Sequence, residues 1–356
     1  MNVINYIQKY GQLSFKKKPF NDLDNIVFSL LSYLSFNGTC IDYGLHSLKE
    51  VGQDYLKAHR YKDVAKLGQS IKDAYKVLVE VINAPRFANV GMYDYVYLTD
   101  EDTQFGAVTF VLTHKLSYVS FEGTDQTISG WKEDCMLACR FPVDSHTLGA
   151  DYLKKHISLT GPNVIVGGHS KGGNTALASA MMISGLKQHK IVKVYSNDGP
   201  GLRKNELESK AYKTVRSKYI HIVPHCSIVG MLLRHDKHYP IKSNTYGVFA
   251  HSMLSWEVVD DKLRRSKLTA KSLALERSLT EWLNDHSNED RRKIIDNLFG
   301  LFEKSGIKET MDLINAKKLA ALAKNLKTVD EESKKLAIDM VKYAGNNISQ
   351  AAKKAM

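Results

Sequence analysis

The chain has 356 residues, 43% of them hydrophobic and 25% charged, a globular balance that excludes collagenous, fibrous and wholly disordered chains. Its 4 cysteines are too few to staple a chain of this length, which fits a reducing, cytoplasmic setting. No run approaches the roughly 18 apolar residues of a spanning helix. The formal charge of +12 admits an anionic partner, but Lys and Arg are spread along the chain without a recognition motif, so nucleic acid is not expected as one. The first twenty residues lack the order of basic, apolar and small-residue stretches that marks a secretory signal.

Residues 1–90 read as a helical segment packed on the core. Leu23, Ile26, Val27, Leu30, Leu31 and Leu34 fall at helical spacing behind Asn21 and Asp22, both good capping types. Residues 62–83 read as one further long helix, ended near Pro85.

Residues 91–258 read as the α/β core. Runs at 95–98, 106–112 and 116–121 are dense in Val, Tyr, Phe and Thr, and the short gap at Thr113 to Lys115 suits an antiparallel hairpin. Strands at 163–167, 191–196 and 219–223 then alternate with helices at 172–187 and 205–216, which implies parallel pairing buried on both faces. Residues 246–249 form the last strand-like stretch.

Residues 259–356 read as a helical, Lys-rich extension. Ser287 or Asn288 caps a helix with Glu289 and Asp290 in its first turn, apolar residues at Ile294, Ile295, Leu298, Phe299 and Phe302, and Gly306 as a stop. Thr328 with Glu331 has the capping-box spacing, opening a helix to about Tyr343 with Gly345 beyond. Solvated Lys faces account for this composition; the sharper reading is a surface for a protein partner or an anionic membrane.

The chemistry-bearing signal is Gly168-x-Ser170-x-Gly172, behind the apolar run Val164 to Val166 and ahead of a helix rich in small residues. A nucleophile elbow needs this pattern: the strand turns so sharply into the helix that side chains two residues either side of the serine would collide. The following helix start offers positive potential for a developing oxyanion. A serine nucleophile needs a histidine base and an acid to orient it. His251, after the last strand-like stretch and before Trp256, is the expected base. Asp198, closing the strand after the nucleophile's own, is the expected acid, with Asp236 as the alternative. Cys135 and Cys139, or His221 and His225, lack the partners and spacing of a metal site, and no phosphate-binding loop is present. Neither a metal nor a cofactor is expected.

The stretches 24–36, 121–134, 167–173, 196–202 and 221–233 resemble the Mbeg1-like proteins, which look like distant relatives of class 3 lipases in the α/β-hydrolase superfamily. The resemblance covers residues 22–257 and implies an α/β-hydrolase-like fold: a mixed, mainly parallel sheet flanked by helices, here with a C-terminal helical extension. Phe121 to Thr124 and Trp131-x-x-Asp134 are similar to the lipase pattern F-R-G-T followed by D-W-x-x-D. By that match the backbone N–H groups of Thr124 and Lys171 form the oxyanion hole, and residues 128–137 stand where those lipases carry a lid. Two departures stand out. Glu122 replaces the usual arginine, and Cys226 to Val229 has no carboxylate where the lipase acid falls. The reading is a serine hydrolase of lipase or esterase type acting on a small-molecule or lipid ester; the alternative is an inactive member of the fold that works through its basic tail.

Overall fold

Eight strands join one sheet in the order of the chain: β1 (His46–Ser47), β2 (Gly91–Thr99), β3 (Gln104–Thr113), β4 (Leu116–Phe121), β5 (Asn163–His169), β6 (Ile191–Asn197), β7 (Tyr219–Pro224) and β8 (Tyr239–Ile241). The computed structural model describes every residue except 65, 101–102, 125–127, 309–311, 313–314, 336 and 339–356. The pairs β1–β2 and β3–β4 are antiparallel, and β4 through β8 are parallel throughout. The sheet is thus mixed and mainly parallel, as expected.

The main helices are α1 (Asp22–Leu31), α2 (Gln69–Val81), α3 (Ile128–Met136), α4 (Asp144–His156), α5 (Lys171–Met182), α6 (Ala270–Asp285) and α7 (Asn288–Lys304). The chain divides into two compact units. One comprises Met1–Leu98, Phe105–Gly123 and Asp144–Leu279; the other comprises Thr99–Gln104, Thr124–Val143 and Thr280–Met356. These lines differ from the three zones drawn on texture, because residues 124–143 join the C-terminal helices and not the strands around them.

In the first unit, the alternation of side chains along the strands divides the sheet into two faces. Phe110, Tyr118, Ile165, Tyr195 and Ile222 share one buried core with α1 and α2. On the other side of β5, Gly168 turns toward α5. A sheet in chain order puts successive right-handed crossovers on one side, so the N-terminal helices are what covers the opposite side.

Helix α1 is held by a capping box. Asn21 Oδ1 accepts from the N–H groups of Leu23 and Asp24, and Asp24 Oδ2 accepts from the Asn21 N–H. Its residues Leu23 to Leu31 are all buried, so its polar members need partners. Asp24 receives Arg86 through two bonds of 2.8 and 2.5 Å, both side chains fully buried, and the Tyr6 hydroxyl at 3.0 Å. Removing one member of such a pair strands the other charge and typically costs about 3–5 kcal/mol.

Several local expectations are corrected. The helix read over 62–83 is broken: Tyr61–Val64 and α2 are separate, with Gly68 at the N-cap of α2. The helix read over 172–187 ends at Met182, and Gly185 at φ 64 starts a short new one, Gly185–Lys190. The helix read over 205–216 divides at Ser209. Residues 246–249 are no strand; Gly247–His251 form a 3-10 turn, with Gly247 at φ 59. Beyond residue 258 a small antiparallel pair remains, Val258–Val259 with Lys262–Leu263.

In the second unit, α7 has the expected Ser287 N-cap, and its five expected apolar residues are buried. Arg291 on α7 donates to the Ala138 carbonyl at 2.5 Å. Thr328 does not cap: its hydroxyl donates back to the Asn325 carbonyl, and Asp330 accepts from the Ser333 N–H instead. The end of that helix, Tyr343 and Gly345, lies outside the described residues. Among the described residues no helix is long and apolar enough to cross a membrane.

Candidate active site

At the carboxyl end of β5 the chain reverses into α5 through Ser170, whose backbone sits at φ 56, ψ −131. That left-handed φ is costly for a side chain with a Cβ, of order 1–3 kcal/mol, and the neighbours enforce it. A Cβ on Gly168 would meet the Gly172 carbonyl carbon at 2.4 Å, and one on Gly172 would meet the Phe121 carbonyl oxygen at 2.2 Å. The Ser170 N–H donates to the Asn197 carbonyl at 3.0 Å, and its own carbonyl accepts from Gly173 at 3.0 Å. Strand, turn and helix are therefore locked together with glycine at the two closest approaches, as the elbow pattern requires.

A polar cluster on the α1 face braces the turn. Asn197 Nδ2 donates to the Gly168 carbonyl at 3.1 Å and to Ser29 Oγ at 3.0 Å. Asn25 Nδ2 donates to Asn197 Oδ1, and the Tyr118 hydroxyl donates to Asn25 Oδ1, both at 2.8 Å.

Asp198 follows β6 at φ 51 and is buried. Its N–H donates to the Ile222 carbonyl at 2.7 Å, pinning it to β7. Its Oδ2 accepts from His251 Nδ1 at 2.7 Å. Its Oδ1 accepts from the Ser227 hydroxyl at 2.5 Å and from the Gly230 N–H at 3.2 Å. Asp236, the alternative acid, is instead bound to Arg216 Nε.

His251 therefore carries its proton on Nδ1, which leaves the Nε2 lone pair to act as a base. Its ring lies 4.2 Å, centroid to centroid, from that of His169, the residue immediately before Ser170. His169 is itself fully bonded: the Tyr33 hydroxyl donates to Nδ1 at 2.7 Å, and Nε2 donates to the His251 carbonyl at 2.8 Å. Burial, then the nearby His251, holds the His169 imidazole well below the ordinary histidine range, so it stays neutral. Among the described residues the Ser170 hydroxyl makes no hydrogen bond; in unliganded hydrolases the serine–histidine bond is often loose and tightens with substrate.

Lys171 is the first residue of α5, so its N–H stands at the positive end of a twelve-residue helix. Thr124 belongs to the second unit, where its hydroxyl donates to Asp134 Oδ2 at 2.5 Å and so joins the two halves of the F-x-G-T and W-x-x-D pattern. Of residues 128–137, expected at the lid position, 128–136 form α3 in that unit, with the Ile128 N–H donating to the Lys308 carbonyl.

Sequence reasoning did not single out Tyr33, His169, Ser227 or Asn197. Their roles depend on contacts between distant segments; Tyr33 and His169 are separated by 136 positions.

With this geometry in view, the Mbeg1-like family pattern matches residues 81–300. The chain belongs to the Mbeg1-like family. No curated protein matches it. Among solved structures it is similar to M37 lipase, known from a crystal structure, at 15% identity over 74% of this chain and 80% of that one, with a TM-score of 0.38.

Proposed function

We propose that this Mbeg1-like chain is a serine hydrolase of carboxylic esters. The reading rests on one observation above others: a buried Asp198 holds His251 by its Nδ1 at 2.7 Å, and the His251 ring packs 4.2 Å from that of His169, the residue before the positive-φ serine of the elbow.

Ser170 Oγ attacks the ester carbonyl as His251 Nε2 takes its proton. The C–O bond to the alcohol then breaks, and the imidazolium returns the proton to the departing alcohol. Water repeats the sequence on the acyl-enzyme and releases the acid. Asp198 keeps the imidazole in the Nδ1–H form and offsets the charge it gains in each half-reaction. The Lys171 N–H faces the developing oxyanion at the start of α5, a donor of a kind commonly worth about 3–4 kcal/mol in the transition state. Thr124 is the proposed second donor by its place in the motif, and the substrate is a small-molecule or lipid ester in a cytoplasmic setting.

A fluorophosphonate probe with peptide mapping tests this. Labelling at Ser170 that disappears in Ser170→Ala and His251→Ala is the expected result. A folded wild-type protein that takes no label would instead favour a non-catalytic member of the fold. p-Nitrophenyl esters of graded length then give the acyl preference.

A further inference from the structure

A second group of histidines lies in the first unit, outside the set of Ser170, His251 and Asp198. His221 is on β7, and His235 and His238 precede β8. The pairing of Ile222 with Tyr239 brings the two segments side by side. The hydrogen bonds at the outer nitrogens of these rings fix where the protons sit. His221 Nε2 faces the Gly199 carbonyl at 3.1 Å, so that nitrogen carries hydrogen. His238 Nε2 faces Glu276 Oε1 at 3.0 Å, so it too is a donor. The His235 ring donates to the Leu232 backbone, and its Nε2 is buried without a partner, so the donor is Nδ1.

Each neutral ring is then left with one lone pair; those of His221 and His238 face each other, and the His235 ring stacks flat on His221, centroids 4.0 Å apart at 5°. The Nδ1 atoms of His221 and His238 stand 3.2 Å apart. The candidate ligand atoms of the three residues all lie within 4.8 Å of one another. Two lone pairs at 3.2 Å repel unless a cation lies between them. Nitrogens bound at about 2.0 Å to one tetrahedral ion stand about 3.3 Å apart. The outer bonds, ring N–H to carbonyl, to carboxylate and to backbone, are the supports that orient metal-binding imidazoles and raise their basicity. A set of nitrogen donors without carboxylate suits a first-row transition ion over Mg2+ or Ca2+.

We propose that His221 Nδ1, His238 Nδ1 and His235 Nε2 form a binding site for a divalent transition metal ion of the Zn2+ class, with the fourth position left to a ligand from solution. His235 rotates out of its stack on His221 on binding, turning Nε2 toward the ion that the other two nitrogens face. The site is independent of the ester-hydrolase reading: no residue of it takes part in the proposed chemistry.

The test is a titration of the chelator-stripped full chain with Co2+, followed by displacement with Zn2+. Expected are visible d–d bands of a nitrogen-bound, low-coordinate cobalt, saturating at one ion per chain and lost on adding Zn2+. Replacing any one of the three with alanine should weaken binding by about tenfold or more, while His189→Ala should change nothing. The wild-type spectrum does not depend on any variant folding. A wild-type chain without such bands overturns the proposal, the His221–His238 contact then being held by a shared proton. Bands of equal strength in His221→Ala/His235→Ala/His238→Ala overturn it as well.

Discussion

The two histidine groups of the first unit are built from the same side chain to opposite ends. Around Ser170, the bonds among Tyr33, His169, His251 and Asp198 use three of the four ring nitrogens of the two histidines. A single lone pair remains, on His251 Nε2. Around His221, the outer nitrogens are occupied and the inner ones are turned toward each other. An imidazole whose one free nitrogen is isolated has the form of a base; two that face each other, with a third stacked beside them, have the form of a ligand set. The difference lies in what the other nitrogen of each ring touches, not in the residue type.

That contrast can be broken at several points. The largest effect is expected at the isolated lone pair. His251→Ala should lower kcat/KM for ester hydrolysis by about ten-thousand-fold or more, as loss of a triad member does; a loss under tenfold would move the base elsewhere. Next comes the group that fixes the tautomer. Asp198→Asn should cut kcat by about a thousandfold to ten-thousand-fold with KM nearly steady. Asp236→Asn removes only a partner of the exposed Arg216 and should stay within about threefold, since exposed pairs are worth little. Steady-state kinetics on both folded variants would reverse the assignment if the ranking were inverted.

A smaller effect concerns acid. The folded pKa of His169 is depressed below its ordinary value of 6.5 by burial, then by the nearby His251. The unfolded chain therefore binds the extra proton below about pH 6.5, and stability is lost as pH falls, by up to about 1.4 kcal/mol per pH unit for this one group. Urea unfolding at pH 6.5 and pH 5 should show the wild type losing more stability than His169→Gln between the two. Equal losses would mean that His169 is protonated in the native protein. The smallest effect is expected at Ser227→Ala, which removes one donor to Asp198 Oδ1. About 1–1.5 kcal/mol, or roughly tenfold in kcat, follows from one hydrogen bond to a charged group; an unchanged kcat would show that the Gly230 N–H alone suffices.

How much of this could be read in the residues depends on whether the deciding contacts were local. Strand β4 was legible over all of 116–121 because aromatic and β-branched residues run between turn formers. The elbow was legible because its steric demand falls on residues two positions away. Asp198 was legible as the end of a strand. The breaks at Gly68 and Gly185 were not, because helical spacing continues across them and single glycines are tolerated inside helices. The strand expected at 246–249 falls largely in the 3-10 turn Gly247–His251, whose apolar residues carry no period of their own. Ser227 counted against a triad acid at its position, and the fold instead turns its hydroxyl onto Asp198. The histidine group was missed for a plainer reason. The search for ligands four apart paired His221 with His225, which share one extended segment, whereas its neighbours come from the next strand's approach and are set by sheet register.

The polar face of α1 has a consequence for the order in which the chain is made. Asn25 leaves the ribosome 172 residues before Asn197, its partner across the sheet. At about 5–20 residues per second, on the order of 10–30 s pass before that partner is synthesised. The Asp24–Arg86 pair, 62 residues apart, closes sooner. During the remaining wait the nascent helix holds its carboxylate satisfied but its amide and hydroxyl open, with its apolar residues unburied by the parallel strands. A ribosome stalled before β6 would therefore carry an N-terminal segment exposed to chaperones and proteases, and release of β6 would be the step that closes it.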